Sequence, residues 1–122
     1  MRKMYQRIER SFHAAHYIAG HPEKCRQLHG HTYRVVVTFA CPFPAPDGYF
    51  AVDFSELHRR VDLCLPDHRC LNEAYATSNA TAEMIALKLG EAIIEAMQGL
   101  PVELKQLEVW ETPTAAVVVD YA

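Results

Sequence analysis

The sequence predicts an α+β fold in which two helices pack on one face of a four-stranded antiparallel sheet. Strand-like segments lie near both ends of the chain, two amphipathic helical segments lie between them, and a short turn joins the last two strands. This order, ββααββ, is typical of helices layered on an antiparallel sheet. The chain has 122 residues, half of them hydrophobic, so residues 1–122 are expected to form a single domain around one core.

The first two strands are predicted from alternation and residue type. Residues 3–13 place Met4, Ile8 and Phe12 among polar neighbours, and residues 31–41 are rich in β-branched and aromatic side chains. A loop of about fifteen residues separates them, which is long for a simple connection. Such a length favours a functional loop.

Two helices are predicted in the middle of the chain. Asp53 is a good N-cap and Glu56 follows it as in a capping box, while Pro66 ends this first helix. Asn79 is the predicted cap of the second helix, which Gly99 ends. Spacings of three and four residues predict the buried stripes, formed by Phe54, Leu57, Val61 and Leu65 in the first helix and by Ile85, Leu89, Ala92, Ile93 and Ala96 in the second.

The remaining segments follow from turn signals. Residues 104–111 and 115–121 predict the last two strands, joined by the turn Thr112-Pro113-Thr114. Regular structure is expected to break before the first helix, at Pro42, Pro44, Pro46 and Gly48, ahead of the segment Tyr49-Phe50-Ala51-Val52.

Charge and cysteine content restrict the class of protein. The net charge of −3 and the absence of a Lys and Arg cluster argue against a nucleic-acid surface. The N-terminal segment has no apolar run, so neither a signal peptide nor a membrane span is expected, and a cytoplasmic location is predicted. Disulfides are then improbable, and no pair among the four cysteines has the C-x-x-C spacing of a thiolate zinc site.

Histidines provide a better candidate for a metal site. His29 and His31 are separated by one residue, so on an extended backbone both imidazoles project to the same side and can reach one ion. His16, arriving from an adjoining strand, would complete a three-histidine set, which leaves an open position on zinc for water or substrate. Cys25 lies nearby between two basic residues, which favours its reactive thiolate form.

Six motifs in order along nearly the whole chain resemble the 6-pyruvoyl-tetrahydropterin synthase family. They are Phe12-His13-Ala14-Ala15-His16, Cys25-x-x-x-His29-Gly30-His31-x-Tyr33, Val52-Asp53-Phe54, Asp67-His68-x-x-Leu71-Asn72, Thr81-Ala82-Glu83 and Trp110-Glu111-Thr112. The gap of three residues between the cysteine and the first histidine of His-Gly-His resembles the queuosine-pathway branch of that family. That branch converts 7,8-dihydroneopterin triphosphate to 6-carboxytetrahydropterin and releases acetaldehyde and triphosphate.

The resemblance also implies an assembly and a set of roles. In the tunnelling fold of this family, subunits with four strands and two helices each form trimers that close a barrel, and two trimers stack into a hexamer. The implied roles are Zn²⁺ ligands at His16, His29 and His31, a proton-abstracting Cys25, a proton relay of Asp67 and His68 contributed by a neighbouring subunit, and a pterin-anchoring Glu111.

Other interpretations stay open on sequence alone. The chain can be a sister enzyme that makes the pyruvoyl product or cleaves the side chain as an aldolase does, or a non-catalytic assembly protein stabilised by zinc. Without the resemblance, Asp67-His68 would be interpreted as a turn and Glu111 as a solvated carboxylate. Ordinary roles are expected for His13, His21 and His58, and the charges that could serve the triphosphate but are more often solvated are Lys24, Arg26 and Lys105.

Overall fold

A computed structural model describes residues 3–42, 48 and 51–122 of the chain. The core of the fold is a five-stranded sheet in the order β3-β1-β2-β4-β5, with helices packed against it. The strands are β1 (Met4–His16), β2 (His29–Cys41), β3 (Arg69–Cys70), β4 (Glu103–Thr112) and β5 (Ala115–Asp120). The helices are α1 (Phe54–Cys64), α2 (Leu71–Ala74) and α3 (Ala82–Ala96), and Lys24–Arg26 forms a short 3-10 turn.

The predicted α+β class is confirmed, but the prediction of a four-stranded antiparallel sheet with two helices is wrong. The fifth strand, β3, pairs in parallel with β1 through Ala14–Arg69 and Ala15–Cys70, so the sheet is mixed. A third helix, α2, follows β3 directly. Both elements are too short to produce a periodic pattern, because two extended residues and one helical turn contain no repeat of apolar positions.

The first two strands are longer than predicted. The β1–β2 ladder continues through Ala14–His31 to the pair His16–His29, so the strands extend to His16 and start at His29. Cross-strand pairing decides these ends, because the polar histidines and Gly30 carry little strand signal of their own. All three predicted metal ligands therefore lie within one antiparallel ladder.

Helix α1 begins at the predicted N-cap, but the predicted capping box does not form. The Asp53 carboxylate accepts a hydrogen bond from the Ser55 backbone N–H at 2.9 Å. Glu56 does not complete a capping box, because its carboxylate accepts from the guanidinium groups of Arg59 and Arg60 at 2.6 and 2.8 Å. The predicted buried stripe also fails at its first position, since Phe54 is 54% exposed.

Helix α3 begins at a different cap from the predicted one. The Thr81 hydroxyl, not Asn79, accepts from the Met84 backbone N–H at 3.2 Å. The Asn79 side chain instead accepts from the backbone N–H of Gly20 at 2.8 Å and so fixes the loop after β1. Ala92, predicted in the buried stripe, is exposed.

One hydrophobic core lies between the sheet and the helices. Its largest fully buried side chains are Phe12, Tyr33, Phe39, Leu57, Leu71, Ile85, Leu89, Ile93 and Leu107. No helix in the described part of the chain is long and apolar enough to cross a membrane. The predicted breaks at Pro44 and Pro46 and the segment Tyr49-Phe50 lie outside the described residues.

Asn72 connects α2 to the chain that leaves β1. Its buried side-chain amide donates to the carbonyls of Tyr17 and Thr77 at 2.8 and 3.0 Å and accepts from the Tyr17 N–H at 2.9 Å. Tyr17 follows the candidate ligand His16, so this amide holds the end of β1 in place.

We expect Asn72→Ala to lower the free energy of unfolding by about 2–3 kcal/mol, because it removes three hydrogen bonds and leaves the half-buried Tyr17 N–H and Thr77 carbonyl without this partner. Chemical denaturation measures the change. Asn79→Ala is the matched control, since Asn79 is less buried and its carbonyl accepts a single backbone bond there. Equal losses in the two variants would contradict this account.

Candidate metal centre and active site

The structure brings the three predicted metal ligands together. His16 ends β1 beside His29, and His31 lies two residues further along β2 on the same face. Each ring offers one nitrogen, and these nitrogens all lie within 4.8 Å of one another. The ring centroids are 4.5 to 5.0 Å apart. Alternation along β2 and the β1–β2 register are thus sufficient to build the cluster.

Backbone carbonyls orient two of the rings. His16 Nδ1 donates to the Ala80 carbonyl and His29 Nδ1 donates to the Gln27 carbonyl, each at 2.7 Å. Because a carbonyl only accepts, both Nδ1 atoms carry the proton in the neutral rings and the Nε2 lone pairs are left free. These two Nε2 atoms face each other at 3.0 Å. Two lone pairs at this distance repel unless a cation lies between them, so the pair fits a metal ion.

The His31 imidazole is also available to bind a metal ion. His31 Nε2 is buried and has no hydrogen-bond partner among the described residues. Burial lowers the pKa of His31, the Glu111 carboxylate opposes that effect, and the two neighbouring histidines add to it. The result favours neutral imidazole, the form that binds metal. The three rings together fit a divalent cation such as zinc.

Tyr33 supports this cluster, a function that the sequence analysis did not assign. The residue is fully buried, its ring stacks on Phe12 at 5.0 Å, and its centroid lies 5.5 Å from His31 and 5.9 Å from His16. Burial raises the pKa of Tyr33, so the phenol stays protonated. The period-two pattern from His29 through His31 to Tyr33 is the signal that would have found it.

Cys25 lies outside the group of converging nitrogens. The residue is in the 3-10 turn Lys24–Arg26, and its carbonyl accepts from the Ile18 backbone N–H at 2.8 Å, which ties this turn to the chain after β1. Its thiol is partly buried, and the candidate ligand group in the described residues contains histidines only. This placement favours a thiol that is free to react.

Asp67 and His68 form a pair at the start of β3. His68 Nδ1 lies 2.9 Å from one Asp67 carboxylate oxygen, and the His13 N–H donates to the other at 2.9 Å. The His68 N–H donates to the His13 carbonyl at 2.6 Å, and His68 has a φ of 59°. The His13 N–H and then His68 hold the pKa of Asp67 below its usual range, so the carboxylate stays charged.

Two open cavities meet at His31. One, of about 570 Å³, is lined by His13, His31, His68 and Arg69 among others. The other, of about 450 Å³, is lined by His31, Trp110 and Glu111 among others. Glu111 Oε1 lies 3.7 Å from His31 Nε2, which is too long for a hydrogen bond. The Glu111 carboxylate therefore borders the histidine cluster, whereas strand alternation places His13 and Thr32, beside which His68 lies, on the opposite face of the β1–β2 ladder.

Comparison with known proteins agrees with this architecture. Residues 5–121 match the family model of 6-pyruvoyl tetrahydropterin synthase. A Synechocystis sp. protein named 6-carboxy-5,6,7,8-tetrahydropterin synthase is 37% identical over 114 residues, which are 88% of this chain and 86% of that protein. The chain belongs to the 6-pyruvoyl tetrahydropterin synthase family.

Solved structures show the same fold. The 6-pyruvoyl tetrahydropterin synthase of Caenorhabditis elegans superimposes with a TM-score of 0.83 and 26% identity, covering 100% of this chain and 98% of that one. The enzyme of the same name from Plasmodium falciparum has a TM-score of 0.76 and 20% identity, with 96% of each chain covered.

Proposed function

We propose that the protein is a zinc-dependent 6-carboxy-5,6,7,8-tetrahydropterin synthase of queuosine biosynthesis. It converts 7,8-dihydroneopterin triphosphate to 6-carboxytetrahydropterin and releases acetaldehyde and triphosphate. The observation that carries the proposal is the convergence of three histidines, with the Glu111 carboxylate 3.7 Å from His31 Nε2. The 37% identity to a relative of that name supports this branch of the family.

The metal would be held by His16, His29 and His31. When bound there, zinc acts as a Lewis acid toward the side-chain oxygens of the substrate, which makes the neighbouring C–H groups more acidic. The outer hydrogen bonds to Ala80 and Gln27 keep two of the rings in the ligand orientation.

The remaining residues position the substrate and move protons. Glu111 accepts hydrogen bonds from the amino and ring N–H groups of the pterin, and two such bonds fix the orientation of the ring. Cys25 as thiolate removes the proton next to the developing carbonyl group. Asp67 orients the His68 imidazole, which accepts and returns protons during the reaction.

The proposal includes a hexamer built as a dimer of trimers. Two strands, β3 and β5, form the edges of the five-stranded sheet, and such edges pair readily with strands of another copy. Asp67 and His68 are half or more exposed, which suits a pair that serves the site of a neighbouring subunit. We place the reaction in the cytoplasm, where a catalytic thiol stays reduced.

We expect zinc-loaded protein incubated with 7,8-dihydroneopterin triphosphate to yield 6-carboxytetrahydropterin and acetaldehyde. Mass spectrometry of the pterin measures this outcome. A pyruvoyl product would favour the second candidate, 6-pyruvoyl-tetrahydropterin synthase, which the likeness to the C. elegans enzyme supports. A truncated side chain would indicate an aldolase-like member, and unchanged substrate would contradict an enzyme of this family.

A further inference from the structure

The loop between β1 and β2 carries Cys25, and the hydrophobic core does not hold this loop in place. None of residues 17–28 is buried, whereas His16 at the end of β1 is fully buried. A segment outside the core keeps its position mainly through hydrogen bonds, and it opens locally at low cost where these are few. The position of the Cys25 thiol relative to the three histidines therefore depends on the polar contacts of this loop.

A short segment that precedes α3, residues 78–80, supplies contacts from outside the loop. The Ala19 N–H donates to the Ser78 carbonyl at 3.0 Å, and the Gly20 N–H donates to Asn79 Oδ1 at 2.8 Å. These partners lie 59 residues apart in the case of Gly20 and Asn79, so the contact is a tertiary one. We call residues 78–80 the anchoring segment.

The anchoring segment reaches both parts of the candidate site. Ile18 pairs with Asn79 in an isolated antiparallel bridge, and the Ile18 N–H donates to the Cys25 carbonyl at 2.8 Å. The Ala80 carbonyl accepts from His16 Nδ1 at 2.7 Å. The segment is therefore hydrogen-bonded directly to the ring of a candidate metal ligand and, through Ile18, to the turn that carries the thiol.

We propose that Asn79 is a positioning residue that holds the Cys25 turn in a fixed place beside the three histidines. In the described part of the chain, its bond from the Gly20 N–H is the side-chain contact between the anchoring segment and the loop, and the others join backbone atoms. The proposal rests on the proposed function, in which the Cys25 thiolate removes a proton. A base must lie within hydrogen-bond reach of the proton that it takes, so its turn has to be held.

The surroundings of Asn79 fix the direction of its amide. Its Nδ2 donates to the Ser78 hydroxyl at 3.2 Å, and its backbone N–H donates to the Thr77 hydroxyl at 3.1 Å. An amide nitrogen only donates, so this arrangement turns Oδ1 toward the loop. Gly20 allows the close approach, because a Cβ at this position would lie 3.3 Å from Asn79 Oδ1.

Hydrogen–deuterium exchange of the loop tests whether Asn79 holds it. In Asn79→Ala we expect the amides of residues 17–28 to exchange about threefold to tenfold faster than in the wild type, because a hydrogen bond that limits local opening is lost. The partly buried Cys25 thiol should also react faster with iodoacetamide, which peptide mapping measures. The melting temperature is recorded for each variant, since global unfolding would speed exchange in every peptide.

Two further variants make this test specific. Asn79→Asp keeps an oxygen that accepts from the Gly20 N–H and is expected to exchange as the wild type does. Ser78→Ala is the matched control, because it removes an exposed hydroxyl and leaves the Ser78 carbonyl bonded to Ala19. It should leave both exchange and thiol reactivity unchanged.

Steady-state kinetics of the zinc-loaded protein separate positioning from substrate binding. We expect Asn79→Ala to lower kcat for 7,8-dihydroneopterin triphosphate by about tenfold or more, because a misplacement of about 1 Å can cost about 10²-fold in rate. The KM should stay within about twofold of the wild type, since the proposed pterin anchor Glu111 lies on β4 and not on the loop. Asn79→Asp should recover most of the wild-type kcat.

Unchanged exchange and unchanged Cys25 reactivity in Asn79→Ala would overturn the proposal, as would a wild-type kcat in spite of faster exchange. An equal change in Ser78→Ala would overturn it as well. If the wild type turns over no pterin, the proposed function fails, and the exchange and alkylation results still decide whether Asn79 holds the Cys25 turn.

Discussion

Replacing Cys25 with alanine is expected to lower turnover of 7,8-dihydroneopterin triphosphate by about 10²- to 10⁴-fold, because a positioned general base contributes this much to the rate. The thiol is partly buried on a turn that is hydrogen-bonded to Ile18, and it is not one of the converging ligands. Zinc content and oligomeric state should therefore stay as in the wild type. Single-turnover kinetics and metal analysis measure the two effects separately.

Cys41→Ala is the matched control for this substitution. Cys41 is also partly buried, but it ends β2 at the opposite end of the strand from the histidines. Its loss should leave turnover unchanged. If Cys25→Ala kept wild-type turnover, the base would have to be another group, and if it lost zinc, the thiol would be a ligand.

Replacing His31 with alanine is expected to abolish zinc binding at stoichiometric metal, and turnover with it. Removal of an outer hydrogen-bond partner already costs about 10- to 100-fold in metal affinity, and a direct ligand costs more. His31 Nε2 is buried without a protein partner, so no internal hydrogen bond is lost with it. Metal analysis of the purified protein and a zinc titration measure the loss.

His58→Ala serves as the control, because His58 lies on α1 away from the cluster. Unchanged zinc content in His31→Ala would contradict a metal site formed by the three histidines.

Chelation of zinc from the wild type distinguishes an enzyme from a non-catalytic assembly protein. Loss of turnover with the fold retained supports an enzyme, whereas unfolding on chelation supports an assembly protein stabilised by zinc.

Much of this fold was predictable because its signals are local. The alternation in β1 and β2, the helical stripes and the Asp53 cap depend on neighbouring residues, and the structure contains each of them, except that Phe54 and Ala92 of the predicted stripes are exposed. The α3 cap was not predictable with the same certainty. Asn79 and Thr81 are both good caps, and a tertiary contact of Asn79 with Gly20 leaves Thr81 to start the helix.

In the candidate site, too, the features that depend on local sequence were predictable and those that depend on tertiary contacts were not. The spacing of His29 and His31 was sufficient to predict a shared face, and the resemblance to a family supplied roles for Cys25, Asp67, His68 and Glu111 that stay predictions until the variants are measured. The hydrogen bond from the His13 N–H to Asp67 could not be foreseen. It depends on β3 lying beside β1, and a two-residue strand produces no periodic pattern in the sequence.

The sequence by itself determined which residues share a face of a strand or helix, because backbone geometry repeats every 2 or 3.6 residues. Only the tertiary structure decided which faces meet: His16 beside His29, Asp67 on the backbone of His13, and Glu111 at 3.7 Å from His31. These partners are far apart along the chain, and their contacts result from strand register and core packing, which depend on all elements at once.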